Sequence, residues 1–296
     1  MQASQVRLYA LLAREAPFGV VFRRGPSKSV LLIGWNTAND TFQPGQWLKG
    51  RIYERRCDLS PQGNLLVYFA ANYQKPHYSW TALSRPPFLT ALAMWPKGDG
   101  WGGGGLFLSR TRLALNHRDG ELKLADGLSI PKWLKVEQFG QRPGWGEDEP
   151  IHFERLERDG WVLVDFPTKT KDDFGAKVWW EFSPPIRWRK PNPKWPKRYS
   201  LEMSIIGIKE KDGPWYLIEH SVKRDEDRAD NIGRSDWADW SQSGDLLFAM
   251  NGCIYRAPCQ EGVLVALEEA IKIADFSNLR FEPIESPSEF RRWPAR

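Results

Sequence analysis

The apolar positions of this chain fall in short runs set off by turn residues. Residues 19–23 (G-V-V-F-R) and 30–35 (V-L-L-I-G-W) are apolar and β-branched, with R-G-P-S between them. Residues 65–69 (L-L-V-Y-F) follow the turn S-P-Q-G, and residues 80–83, 106–108 and 112–116 continue the series. Short runs separated by Gly, Asn and Pro predict strands. Asp119-Gly120, between residues 114–115 and 122–124, reads as a hairpin turn. Residues 88–95 are apolar throughout, and periodicity cannot decide between strand and helix there. Two segments have helical spacing instead. In residues 4–16, Val6, Tyr9, Ala10 and Ala13 recur, Ser4 caps the start and Pro17 ends the run. In residues 261–274, Val263, Leu267, Ile271 and Ala274 predict an amphipathic helix packed on the β structure, and residues 279–284 a final strand.

One phrase occurs twice. Residues 57–70 read C-D-L-S-P-Q-G-N-L-L-V-Y-F-A, and residues 238–250 read A-D-W-S-Q-S-G-D-L-L-F-A-M. Asp58 answers Asp239, Ser60 answers Ser241, Gly63 answers Gly244, and Leu65-Leu66 answers Leu246-Leu247. Fainter echoes run over residues 153–166, with Asp159-Gly160 before W-V-L-V, and 205–219, with Asp212-Gly213 before W-Y-L-I. The turn glycines Gly63, Gly120, Gly160, Gly213 and Gly244 are spaced on average like four-stranded blades. The phrase D-x-S-P-x-G-x-L-L resembles the blade turn of TolB-type and WD-repeat β-propellers. Gln62 and Ser243 stand where those families carry Asp, and Gln242 replaces their Pro. The expectation is an all-β fold: one β-propeller-like domain over residues 1–296, of about five or six blades, with short decorating helices.

Composition adds little that contradicts this. Sixteen Trp among 296 residues favour pleated, half-buried surfaces. A formal charge of +5 permits an anionic partner without requiring one. Cys57, Cys253 and Cys259 suggest no disulfide framework. The first residues lack a signal-peptide layout, and no apolar stretch approaches the ~18 residues that cross a bilayer. A cytoplasmic protein away from the membrane is expected.

Few residues suggest chemistry. Asp58 and Asp239, with Ser60 and Ser241, are duplicated at equivalent positions, which favours turn-stabilising roles over catalysis. Residues 102–105 are four glycines, but no Lys-Ser/Thr follows and the next run reads as a strand. A close backbone approach or a mobile loop beside Trp101 is expected. His77, His117, His152 and His220 lack metal-ligand spacing. Residues 147–149 and 225–227 read as solvated acidic loops. No catalytic residue, cofactor or metal ligand is assigned. The strongest signal is a basic, Pro-rich insert at residues 186–199, where Arg187, Arg189, Lys190, Lys194, Lys197 and Arg198 interleave with Trp188 and Trp195. These eight are expected to bind a partner. The expected function is a non-enzymatic cytoplasmic scaffold or regulatory module that docks a protein there. One alternative is a nucleic-acid-binding accessory protein using the same insert. A second is a hydrolase with its site in the propeller channel.

Overall fold

The computed structural model describes residues 6–25, 28–172, 177–211, 213–224 and 228–295. Among the described residues the chain is all-β in character, with one α-helix. It divides into two compact units, Tyr9–Arg155 with Arg280–Arg296, and Met1–Leu8 with Leu156–Leu279.

The first unit contains three sheets. β1 (Arg7–Leu12), β2 (Phe18–Arg24), β3 (Ser29–Asn36) and β4 (Thr41–Lys49) pair in sequence order. In the second sheet, β5 (Arg51–Ile52) and β6 (Asp58–Leu59) both pair with β7 (Leu66–Ala71). β8 (Ser79–Ser84) and β9 (Ala93–Pro96) complete it. β10 (Gly105–Ser109), β11 (Arg112–Leu115) and β12 (Lys135–Gln138) form the third, whose last pair is parallel. β7 is buried on both faces because its side chains alternate between two cores. Leu66, Tyr68 and Ala70 join Leu11, Val20, Phe22 and Leu32. Leu65 and Val67 join Trp95, Phe107, Leu113 and Leu115. That placement explains an unbroken apolar run in this strand.

The helix α1 (Glu149–Arg158) precedes the strands of the second unit. β13 (Val162–Asp165), β14 (Lys169–Asp172), β15 (Val178–Pro191), β16 (Tyr199–Glu210), β17 (Tyr216–Arg224) and β18 (Arg228–Arg234) make a six-stranded sheet. β15 carries β13 and β14 end to end along one edge. β19 (Trp237–Trp240), β20 (Leu246–Met250) and β21 (Cys253–Ala257) lead a four-stranded sheet. β22 (Cys259–Gln260) and β23 (Val263–Leu264) form a separate ribbon, and β24 (Ile271–Asp275) returns to pair with β21.

The duplicated phrase folds twice into the same strand–turn–strand device. Gly63 and Gly244 have φ of +76° and +90°, where glycine carries no steric penalty. Each donates its N–H to the carbonyl of Ser60 or Ser241. Each serine hydroxyl then accepts a backbone N–H at the turn's exit, from Leu65 or Asp245. The two copies differ in register by one residue. Asp58 pairs with Val67, but Asp239 pairs with Leu247, which answers Leu66. The aspartates diverge as well. Asp58 accepts the N–H of Phe107 on β10. Asp239 accepts Trp240 N–H and the Lys190 ammonium.

Both expected helices are strands. In residues 4–16, β1 buries Leu8 and Ala10 while Arg7 and Tyr9 are half-buried, a period of two; Ser4 lies outside the described residues. In residues 261–274, Glu261 and Gly262 have φ of +51° and +77°, which stops a helix at its first turn. Val263 and Ile271 are exposed, and Leu264 is buried instead. Residues 279–284 form no strand. Conversely, the echo at residues 153–166 is half helix. Pro150 sits in the first turn of α1, and Gly160 N–H bonds the Glu157 carbonyl at its end. Gly120 lies in a turn, but β11 next pairs with β12, not with residues 122–124. Asp212 and residues 225–227 lie outside the described residues.

Candidate ligand-binding site

The eight residues expected to bind a partner are not a projecting loop. Arg187, Trp188, Arg189 and Lys190 lie within β15, paired to β16. Trp188 is fully buried. Arg187 is bound to Asp165 at 2.6 Å, Arg189 to Glu202 at 2.6 Å and Lys190 to Asp239 at 2.6 Å. Lys194, Trp195, Lys197 and Arg198 occupy the short β15–β16 connection. The Asn192 side chain accepts the N–H groups of Lys194 and Trp195, and Arg198 donates to the Gly262 carbonyl. The basic run therefore serves its own sheet. Three of its six cations, Arg187, Arg189 and Lys190, pair with carboxylates on other strands, so a linear reading sees their charge without its partners.

The first unit holds a different constellation, centred on Arg56. The chain leaves β5 through a 3-10 turn, Glu54–Arg56, that buries both Arg55 and Arg56. A buried guanidinium is costly unless its donors are matched. Arg56 Nε donates to Asp148 Oδ1 at 2.7 Å. Its Nη1 donates to the carbonyls of Gly100 and Gly102, both at 2.7 Å. Its cation lies 4.5 Å from the Tyr53 ring and 5.1 Å from Phe69. One side chain thus ties together segments around residues 53, 100 and 148.

The glycine run makes the close approach possible. A Cβ on Gly104 would overlap the Arg56 carbonyl, and one on Gly103 would overlap the Phe69 ring. Gly104 N–H bonds Thr81 Oγ1 at 2.8 Å, and Gly103 N–H bonds the Asn116 carbonyl at 2.7 Å. Gly102 N–H bonds the Gly146 carbonyl at 2.7 Å. Buried Asn116 holds the same neighbour from both sides, donating to Trp145 O and accepting Gly144 N–H. His117 is uncharged within this network. Its Nδ1 donates to the Glu121 carbonyl and its Nε2 accepts the Thr81 hydroxyl. Burial lowers its pKa to about 4, against hydrogen bonding and a charge from Glu121 that raise it.

Four large aromatics stand at the rim of this framework. Trp101 and Trp145, from the two loops that Gly102 and Gly146 join, are 57% and 64% exposed. Tyr73 and Tyr78, from the β7–β8 connection, are 48% and 43% exposed. Tyr73 and Tyr78 meet edge to face, ring centres 5.1 Å apart. The Tyr73 hydroxyl bonds that of Tyr53, whose ring lies under Arg56. Burial, then this hydrogen bond, push the Tyr53 phenol up to about 12. Carboxylates line the same loops. Asp99 Oδ1 accepts Lys97 Nζ at 3.0 Å and Trp101 N–H at 2.9 Å. Partial burial opposes its ionisation, but those bonds hold it below the ordinary carboxylate range. Lys97 also reaches Glu121 at 2.8 Å. Among the residues singled out from the sequence, Trp101, the glycines, His77, His117 and the acidic run 147–149 fall here. Arg56, Tyr53, Tyr73, Tyr78 and Trp145 were not marked. The N-Y-Q-K-P-H-Y segment, two tyrosines in a turn, was the available signal.

His152 and His220 lie elsewhere, both buried. His152 sits between Arg55 and Arg155, and burial followed by these two charges pushes its pKa well down. His220 bonds Ser235. Among the described residues, no three His, Cys, Asp or Glu side chains gather as a metal site. No helix among them is long and apolar enough to cross a membrane. A cleft of about 260 Å³ at the Ser60 turn is lined by Gln62, Asn64, Arg110, Thr111 and Trp133. Ser60 is held there by Asn64 and Leu65, and Arg110 by Glu15.

No family model matches the chain. No curated protein matches it either. Among solved structures, it aligns with a protein described as a putative 6-phosphogluconolactonase from Bacteroides fragilis. That alignment covers 91% of this chain and 96% of the other, at 10% identity and a TM-score of 0.35. The expectation of a non-enzymatic scaffold docking a protein through residues 186–199 is corrected accordingly. The neighbouring structure is described as an enzyme's, and Arg187, Trp188, Arg189 and Lys190 of the expected docking segment lie in paired sheet. A likeness this distant transfers no activity to the chain.

Proposed function

We propose that the chain binds its ligand by ring stacking at the rim formed by Tyr73, Tyr78, Trp101 and Trp145. The observation that carries this is that Arg56 holds the Trp101 loop through the Gly100 and Gly102 carbonyls and the Trp145 loop through Asp148, while Tyr53, whose ring it contacts, bonds the Tyr73 hydroxyl. Exposed aromatics on fixed loops lose little entropy when a ligand arrives. A finer reading of the fold accompanies the proposal: the successive sheets are blades of a β-propeller-like domain. Its support is that strands of the larger sheets pair mostly with neighbours in sequence, β21 with β24 being an exception, and that one turn device recurs in two sheets. The test is ligand-observed saturation-transfer NMR with a library of sugars, nucleotides and aromatic fragments. Hits on the wild-type protein should vanish in the Trp101→Ala/Trp145→Ala variant. Hits that survive removal of both rings would place binding elsewhere.

A second reading, a hydrolase acting on the ligand so held, rests on two carboxylates with opposed environments. Asp99 is held below the ordinary carboxylate range, as described. Burial of part of its side chain, then Asp148 and Glu147, raise Glu149. Carboxyl groups driven apart in this way can divide the roles of general acid and ionised partner. On this reading, Asp99→Asn and Glu149→Gln would each abolish turnover of a ligand that the wild type both retains and turns over. Turnover that persists in both variants would dismiss it.

A further inference from the structure

We infer that the ligand of the aromatic rim is a neutral oligosaccharide. The inference rests on the stacking proposal and adds the chemical class. Ring faces of Tyr and Trp suit two kinds of flat partner, nucleobases and the C–H faces of sugar rings. Charge decides between them. The segments that build the rim are residues 51–56, 72–78, 97–104, 117–121 and 140–149. They contain seven Lys and Arg and seven Asp and Glu. A single-stranded nucleic acid needs cations that track several phosphates at once. Here several cations are already engaged. Arg56 holds Asp148, and Lys97 holds Asp99 and Glu121. The Lys97 side chain is completely buried. The accessible charges beside the tryptophans are mixed in sign, with Arg118 54%, Glu147 47% and Asp99 40% exposed at their side chains, and Arg118 lies 4.0 Å from Asp99. Carboxylates repel phosphates, whereas they accept hydrogen bonds from pairs of sugar hydroxyls. Asn72 and the Tyr73 and Tyr78 phenols add neutral donors and acceptors on the β7–β8 connection. The rings belong to three separate loops, so the footprint exceeds one sugar.

The experiment is a glycan array carrying neutral and acidic oligosaccharides, with fluorescence anisotropy on mixed-sequence single-stranded RNA and DNA in parallel. Neutral glycans should be retained, and calorimetry on the strongest should give an affinity that changes less than about twofold between 0.05 and 0.5 M salt. Trp101→Ala and Trp145→Ala should each weaken it about tenfold or more. Both rings are exposed, so thermal melting should be unchanged and will confirm that the variants fold. Val263→Ala, in the other unit, should bind as wild type. Salt-sensitive nucleic-acid binding that depends on Trp101 or Trp145 would overturn the oligosaccharide and leave the stacking proposal standing. Retention only of acidic glycans would overturn it in the same way. If binding of every probe is indifferent to both tryptophans, the stacking proposal itself fails. If no neutral glycan is retained, the inference is wrong.

Discussion

Replacing Arg56 by Met tests the framework at its centre. The side chain keeps an unbranched apolar stem but loses the guanidinium and every donor. Asp148, with only 10% of its side chain exposed, then loses its ion-pair partner. The carbonyls of Gly100 and Gly102 lose their shared donor, and Tyr53 and Phe69 lose the cation at their faces. Breaking one partner of a buried ion pair costs about 3–5 kcal/mol. The carbonyl losses lie within that figure rather than beside it, because neighbouring interactions do not add. For a unit of this size the cost corresponds to a fall in melting temperature of roughly 10 °C or more. Arg56→Lys should fall between, since one ammonium cannot hold Asp148 and both carbonyls together. Adding Asp148→Leu to Arg56→Met should recover part of the loss, because the charge that lost its Arg56 partner goes with it. The assay is thermal melting by near-ultraviolet circular dichroism, with the four proteins run as a double-mutant cycle. A fall under about 3 °C for Arg56→Met would show that Arg56 is not the anchor. So would a double variant less stable than either single one.

Gly104→Ala should destabilise more than a typical surface change, by about 2 kcal/mol or more, because φ is +77° and the added methyl meets the Arg56 carbonyl. Gly98→Ala, also at positive φ but with open space around it, is the control and should cost about half as much or less; equal losses in chemical denaturation would remove the steric argument. His117 predicts a pH dependence. Its folded pKa, about 4, lies below its ordinary 6.5, so between those values the unfolded chain takes up a proton that the folded chain refuses. Its contribution is complete above pH 6.5 and falls as pH drops through that window, by roughly 3 kcal/mol at the lower end. His152 acts with the same sign, so the measurement is a difference: urea midpoints of His117→Gln should change less between pH 7 and pH 4.5 than those of the wild type. Parallel curves would show that His117 does not titrate in that window.

The β character was legible because apolar runs such as residues 65–69 are short, rich in Leu, Val, Tyr and Phe, and bounded by turn chemistry. The recurrent Ser–Gly turn was legible for the same reason, since the serine cap and the left-handed glycine are local requirements. The one-residue change of register between the two copies was not. It depends on where each outgoing strand meets its partner, Leu59 on Leu66 and Trp240 on Leu246. Helices failed in both directions. Residues 261–274 have apolar side chains at helical spacing, yet Val263 and Ile271 face water and Leu264 faces the interior. Gly262 φ and the pairing of β22, β23 and β24 override a pattern too short to bind the chain to one period. In α1 the buried residues Ile151, His152, Arg155 and Leu156 do follow a helical face. Two of the four are polar, so the face does not look apolar in the sequence.

The same reason hides the rim. Its organising residue is an arginine whose partners lie 44, 46 and 92 positions along the chain. A linear reading weighs charge by neighbours, and Arg55-Arg56 beside Glu54 looks like an ordinary mixed-charge turn. Residues 186–199 look more functional because their cations cluster without acids, yet Asp165, Glu202 and Asp239 reach three of them from other strands. Density of like charge in sequence therefore pointed away from the candidate site. The glycine run pointed toward it, because close backbone approach is a property of the glycines themselves. What the glycines approach, the Arg56 carbonyl and the Phe69 ring, is written in other strands. A search for sites of this kind in one sequence starts better from residues whose backbone needs are local, and then asks which bulky neighbours the fold brings to them.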